Sequence, residues 1–134
     1  GQPIGFTVAG GRGSGATLDK ISTSQGLYVD DQSRVYVSEI GNDRVTRWDN
    51  TTIGVIVRSP VGQTVAGMSG VSGLWSYQFN LPTSISFDQY GYMYIMDSGN
   101  NRIQRWWPGA TYGTTVASST SLYNPRGLII DPLG

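Results

Sequence analysis

The sequence predicts an all-β protein built from repeated four-stranded antiparallel units. Three observations carry this. Residues 86–109 parse into short strands joined by tight turns, the same stretch occurs earlier without a gap, and a further β-rich phrase recurs between the copies.

In the first of these, Ile85–Asp88 closes a strand and Asp88-Gln89-Tyr90-Gly91 is a turn. Asp can cap such a turn with its own side chain, and Gly91 can take positive φ. Tyr92–Met96 reads as a second strand. Asp97-Ser98-Gly99-Asn100-Asn101 reads as a second turn, dense in residues that tolerate left-handed φ. Arg102–Trp106 is a third strand, with Ile103 alternating against Arg102, Gln104 and Arg105, and Pro108-Gly109 ends it. Such a meander cannot bury both faces alone.

The stretch Val29–Trp48 aligns on this one: Asp30 on Asp88, Tyr36 on Tyr94, Gly41-Asn42 on Gly99-Asn100, Arg44 on Arg102 and Trp48 on Trp106. A third copy starts at Asn124-Pro125-Arg126-Gly127 and runs to Asp131. Thr7-Val8-Ala9-Gly10, Thr64-Val65-Ala66-Gly67 and Thr115-Val116-Ala117-Ser118 supply a fourth, outer strand. Asp30 and Asp88 stand 58 residues apart and Asp88 and Asp131 stand 43 apart, with loops absorbing the difference. Radial four-stranded blades repeat every ~40–50 residues, and propellers hold ~4–8 of them. The expected architecture is a β-propeller arc of about two full blades plus two partial ones. It is open unless more chain or other copies complete it.

Leu81-Pro82-x-x-Ile85-x-x-Asp88, followed by Gly91-x-x-Tyr94-Ile95-x-Asp97-x-Gly99-Asn100-Asn101-Arg102-Ile103-x-x-Trp106, resembles the NHL repeat, over nearly the whole chain. The resemblance implies β-propellers, usually six-bladed. The first copy departs from it: Glu39 stands for Asp97, Ser33 for Gly91, and Ser24-Gln25 replace the Pro that often precedes the first strand. Function in propellers lives in the loops and not in the repeat.

Composition narrows the function classes. The chain of 134 residues has no cysteine, so no disulfide staples the arc. It has no histidine, the commonest metal ligand and general base. Net charge is zero, without the basic footprint of a nucleic-acid or anionic-lipid binder. Charged residues are 13% of the chain, about half the usual ~25%. A polar, nearly uncharged surface suits a secreted or cell-surface repeat protein. No apolar run of about 18 residues exists to span a membrane.

In chain order, residues 1–15 carry the outer strand of a preceding blade (Phe6–Ala9) and a glycine-rich crossing loop. Residues 16–67 form blade one, with strands at Gly26–Asp30, Arg34–Ser38 and Arg44–Trp48, and Leu18 and Ile21 packing beneath it. An insertion at 53–62 extends an edge through Val55-Ile56-Val57. Residues 68–118 form blade two, entered through a crossing loop at 67–80 and closed by an outer strand at Gly113–Ala117. Residues 119–134 open blade three.

Several side chains have two readings. Glu39 with Arg44 and Asp97 with Arg102 read as an acid with a basic activator, or as pairs that lock a turn by charge-assisted hydrogen bonds. The structural reading fits better, because both copies share it and an active site needs only one. Asp30, Asp88 and Asp131 read as a cation site in a central channel, or as turn caps. Gly11-Arg12-Gly13-Ser14-Gly15 lacks the ending of a phosphate loop and precedes no helix. Arg102, Arg105, Trp106 and Trp107 interleave base and aromatic as single-strand binders do, but one Trp per copy is expected between blades. Trp75, Tyr77 and Tyr123 are candidate ligand- or partner-facing loop residues, with capping of the groove between blades as the alternative. Asn50-Thr51-Thr52 makes Asn50 a glycosylation candidate in a turn.

The resulting expectation is a non-catalytic extracellular scaffold, binding or self-assembly module without cofactor or metal. Its partners are protein, as further blades of the same chain or identical copies, and glycan. Nucleic acid and a membrane span are not expected. The rivals are a metal-dependent propeller lyase or hydrolase and an RNA-binding NHL domain. Both ends fall mid-repeat, so the chain is read either as a window on a longer propeller or as a protomer that closes a ring or grows a filament.

Overall fold

The computed structural model of the chain describes residues 7–49, 60–119, 128 and 130. It is all-β: two antiparallel four-stranded sheets that form an open arc of propeller blades. The first holds β1 (Ser24–Val29), β2 (Val35–Glu39), β3 (Arg44–Trp48) and β4 (Gln63–Gly67), in that order across the sheet. The second holds β5 (Pro82–Phe87), β6 (Met93–Asp97), β7 (Arg102–Trp106) and β8 (Thr114–Ser118), again in chain order. The first three strands of the two blades superpose in sequence at an offset of 58 residues, and a bulge interrupts β1 and β5 at the same place.

The turns follow from local chemistry. Asp30 Oδ1 accepts from the amides of Gln32 and Arg34, and Asp88 Oδ1 accepts from those of Tyr90 and Tyr92. Gly91 has φ +88°, and Ser33 takes the same left-handed region at +61°. That bond to Asp88 keeps Tyr92 out of β6, so the strand runs one residue later than the sequence suggests and ends on Asp97, paired with Arg102. In blade one β2 likewise includes Glu39, paired with Arg44. The second turn of each blade is a single 3-10 turn, Ile40–Asn42 or Ser98–Asn100. It is closed by a left-handed Asp43 or Asn101.

The blades pack through one shared core. Sheet one contributes Tyr36, Val45 and Ala66, and sheet two contributes Ile85, Met93, Ile95 and Trp106, with Phe79 from the crossing loop. The Phe87 ring lies 4.6 Å from Tyr28 and 4.7 Å from Tyr36. Aromatic pairs at such spacing add ~0.5–1.5 kcal/mol beyond their burial. A Cβ on Gly26 would collide with the carbonyl of Thr83, so this glycine sets how closely β1 approaches β5. Ser38 Oγ donates to that carbonyl at 3.0 Å.

Several expectations are corrected. Residues 7–9 are not in a strand, because no described strand lies beside them to complete a ladder. Ile21 packs against the Val35, Val37 and Trp48 cluster as read, but Leu18 is exposed. In β7 the buried residues are Arg102, Gln104 and Trp106, while Ile103 is half-buried. The face turned to blade one carries the polar row, because its guanidinium and carboxylate satisfy one another. Val55–Val57, Asn50, Tyr123 and Asp131 lie outside the described residues, as does nearly all of blade three. Among the described residues no helix is long and apolar enough to cross a membrane.

Candidate functional site

The paired acids and arginines sit at one end of each blade. Arg44 Nε donates to Glu39 Oε2 at 3.0 Å, and Arg102 Nε donates to Asp97 Oδ2 at 2.7 Å. All four side chains are buried. They hold more than their own turns. Glu39 Oε1 accepts from the Asn42 amide group and the Ser22 backbone N–H, and Asp97 accepts from Asn100 Nδ2 and the Asn80 N–H. Asn42 and Asn100 also donate to the carbonyls of Gly15 and Gly73. Arg44 Nη1 reaches the Ala16 carbonyl and Ser69 Oγ. Arg102 holds the carbonyls of Leu74, Trp75 and Gln78. Each cluster therefore pins the incoming crossing loop, the start of the inner strand and the turn. Burial, the largest influence on Asp97, pushes its carboxyl above the ordinary value, against the opposing pull of Asn80, Asn100 and Arg102.

The two copies differ in how this network continues along the sheet. In blade one the longer Glu39 also accepts from Thr46 Oγ1, and Thr46 accepts from Trp48 Nε1 at 3.1 Å. In blade two Asp97 is shorter and Gln104 replaces Thr46. The Gln104 carbonyl accepts from Thr115 Oγ1, but Gln104 Nε2 and Trp106 Nε1 are buried without a partner among the described residues.

The loop aromatics behave as a pair with a third member. Trp75 and Tyr77 are exposed, on a loop whose backbone Arg102 and Gln78 hold. Phe79, which sequence reasoning passed over, fills the groove between blades and lies 5.7 Å from the Trp106 ring. Its counterpart 58 residues earlier is Ile21, and that offset is the signal that finds it.

At the opposite end of the blades the Asp30 and Asp88 turns flank a cleft of about 460 Å³ between the two sheets. Tyr28, Tyr36 and Phe87 line it, with Met93 and Trp106 from the core and Trp107 beside them. Asp30 Oδ2 pairs with Arg34 Nε at 2.6 Å, and Asp88 Oδ2 accepts from Tyr94 at 3.1 Å. Arg47 is held by Asp49 through two bonds and by Gln63. Burial, opposed and outweighed by the amides and guanidinium around it, leaves the Asp30 carboxyl below its ordinary value. Burial also pushes the Tyr36 phenol up. Asp30 and Asp88 thus each serve their own turn, and among the described residues no three acidic side chains gather as a metal would need. The base–aromatic string of β7 is dispersed: Arg102 and Trp106 are buried, Arg105 lies over the Tyr92 ring, and Trp107 alone is exposed.

The inner strand of blade one is left open on its other face. Leu27 and Val29 are 67% and 54% exposed, whereas Ile85, the counterpart of Leu27, is 6% exposed. Phe87, the counterpart of Val29, sits against Tyr28 and Tyr36. No family model matches this chain, and no curated protein matches it.

Proposed function

We propose that this chain is a non-catalytic propeller segment of NHL type, acting outside the cell as a scaffold, binding or self-assembly module that stacks further blades. The observation that carries this reading is the open inner strand. At the same repeat positions blade two buries its apolar residues under blade one, while blade one exposes Leu27 and Val29. Adjacent apolar side chains left bare mark an interface. The carboxylates support the non-catalytic part, because Glu39, Asp97, Asp30 and Asp88 are each consumed by structural bonds. The chain has no histidine to act as a base. The low charge and the Asn50 acceptor pattern support an extracellular setting.

Sedimentation velocity over a range of concentrations tests it. Assemblies heavier than 14.5 kDa are expected, with the Leu27→Asp/Val29→Asp variant shifting toward monomer. A stable wild-type monomer at every concentration would overturn the stacking reading.

A further inference from the structure

We propose that the crossing loop carrying Trp75 docks on a lipid bilayer surface of neutral headgroups, entering its interfacial layer without spanning it. This rests on the loop itself and not on the stacking of further blades.

The loop is apolar where it meets water. Residues 67–82 contain no charged side chain. Among them Leu74 and Trp75 are 70% and 69% exposed, and Met68, Val71 and Tyr77 are exposed as well. The Ser76 carbonyl accepts from the Gly113 N–H. That bond ties the loop to a second uncharged turn, where Tyr112 is exposed.

The repeat shows that the fold does not demand this surface. Asn42 and Arg44 hold the carbonyls of Gly15 and Ala16, as Asn100 and Arg102 hold those of Gly73 and Leu74. The two loops are therefore equivalent at the 58-residue offset between the blades. Ala16, Thr17 and Asp19 stand where blade two carries Leu74, Trp75 and Tyr77. Thr17 donates to Asp19 within its own loop. A blade of this kind thus closes its loop without an aromatic.

The backbone of the loop tip decides between a lipid and a protein partner. The carbonyls of Gly73, Leu74, Trp75, Ser76 and Gln78 accept from Asn100, Arg102 and Gly113. The Gly73 and Gln78 amides donate to the Phe79 and Trp75 carbonyls, and the Trp75 amide donates to Gln78 Oε1. Unpaired backbone groups are costly in an apolar layer, and these are paired within the protein. A protein partner is recognised through about one hydrogen bond per ~100–200 Å², and the groups that would make them are spent. Trp and Tyr suit the lipid interface, because each has an apolar ring and a polar tip that sits at headgroup level. Charge then selects the headgroup. Anionic leaflets draw clusters of Lys and Arg. The loop has neither, and Lys20 is the only lysine of the chain. A neutral headgroup such as phosphatidylcholine matches it.

Co-sedimentation of the whole chain with sucrose-loaded vesicles of pure phosphatidylcholine tests this. Binding that saturates in millimolar lipid is expected. The triple variant Leu74→Ala/Trp75→Thr/Tyr77→Asp installs the residues of the blade-one loop, which the fold already accommodates. It should weaken binding by about tenfold or more with thermal unfolding unchanged. Trp75→Phe supplies a second readout. It should keep most of the binding but remove most of the quenching of tryptophan emission by bromine-labelled phosphatidylcholine. No pelleting with phosphatidylcholine would overturn the proposal. So would equal pelleting of the triple variant, pelleting that requires phosphatidylserine, or quenching that survives Trp75→Phe.

Discussion

Replacing Arg102 by methionine removes a charge from a buried pair and leaves its partner behind. Asp97 is fully buried and already raised above its ordinary value by burial. Without the guanidinium it keeps, among the described residues, the Asn80 N–H and Asn100 Nδ2 as donors. Breaking a buried pair from one side costs about 3–5 kcal/mol. The three carbonyls that Arg102 held do not weigh equally. Leu74 and Trp75 are exposed, so water can replace the lost donor there. Gln78 is buried, so its carbonyl is expected to account for about 1–3 kcal/mol of the loss. Urea unfolding at about pH 7 should therefore show a deficit of about 3–5 kcal/mol. The sign of the pH effect follows from the direction of the Asp97 shift. A carboxyl raised in the folded state favours folding below its unfolded value, and that contribution is lost as pH rises through the folded value. The variant raises Asp97 further, so its deficit should shrink toward the carbonyl share at about pH 3, below the ordinary aspartate value of about 3.9. Arg34→Met is the control. That guanidinium is 35% exposed and its ion pair among the described residues is with Asp30, so its loss should cost about 0–1 kcal/mol. Equal deficits for the two variants, or an Arg102→Met deficit that is the same at both pH values, would refute the argument.

Gly26→Ala should force β1 away from the Thr83 carbonyl and cost about 1–3 kcal/mol as overpacking, read as a lower urea midpoint. The double variant Asp97→Glu/Gln104→Thr should rebuild in blade two the Glu39–Thr46–Trp48 chain of blade one. By giving Trp106 Nε1 an acceptor it should raise stability by about 1–2 kcal/mol, with each single change giving less. Asp30 is lowered in the folded state, so its contribution is present above the ordinary value and is lost as pH falls through the folded one. A plot of stability against pH should therefore fall less steeply in acid for Asp30→Asn than for the parent. In material from its natural source, the mass should drop on amidase treatment if Asn50 carries a glycan, and an Asn50→Gln chain should show no drop.

The order of the four strands within each blade and the turn chemistry were legible in the sequence because they are local. Asp30 and Asp88 cap turns within four residues of themselves, and Gly91 takes the φ its turn demands. The gapless recurrence of Val29–Trp48 in Phe87–Trp106 became the 58-residue offset between blades. The pairing of Glu39 with Arg44 and of Asp97 with Arg102 was also within reach, since each pair flanks one turn. What those pairs hold was not. Arg44 reaches the Ala16 carbonyl and Arg102 the Leu74 carbonyl, each 28 residues away in sequence. No periodicity encodes such a bond. The choice of Phe79 over Trp75 and Tyr77 to fill the groove, the cleft shared by Tyr28 and Phe87, and the exposure of Leu27 against the burial of Ile85 were likewise decided by how one sheet lies on the next. A strand sequence specifies which side chains share a face. Only the neighbouring sheet determines whether that face meets protein or water.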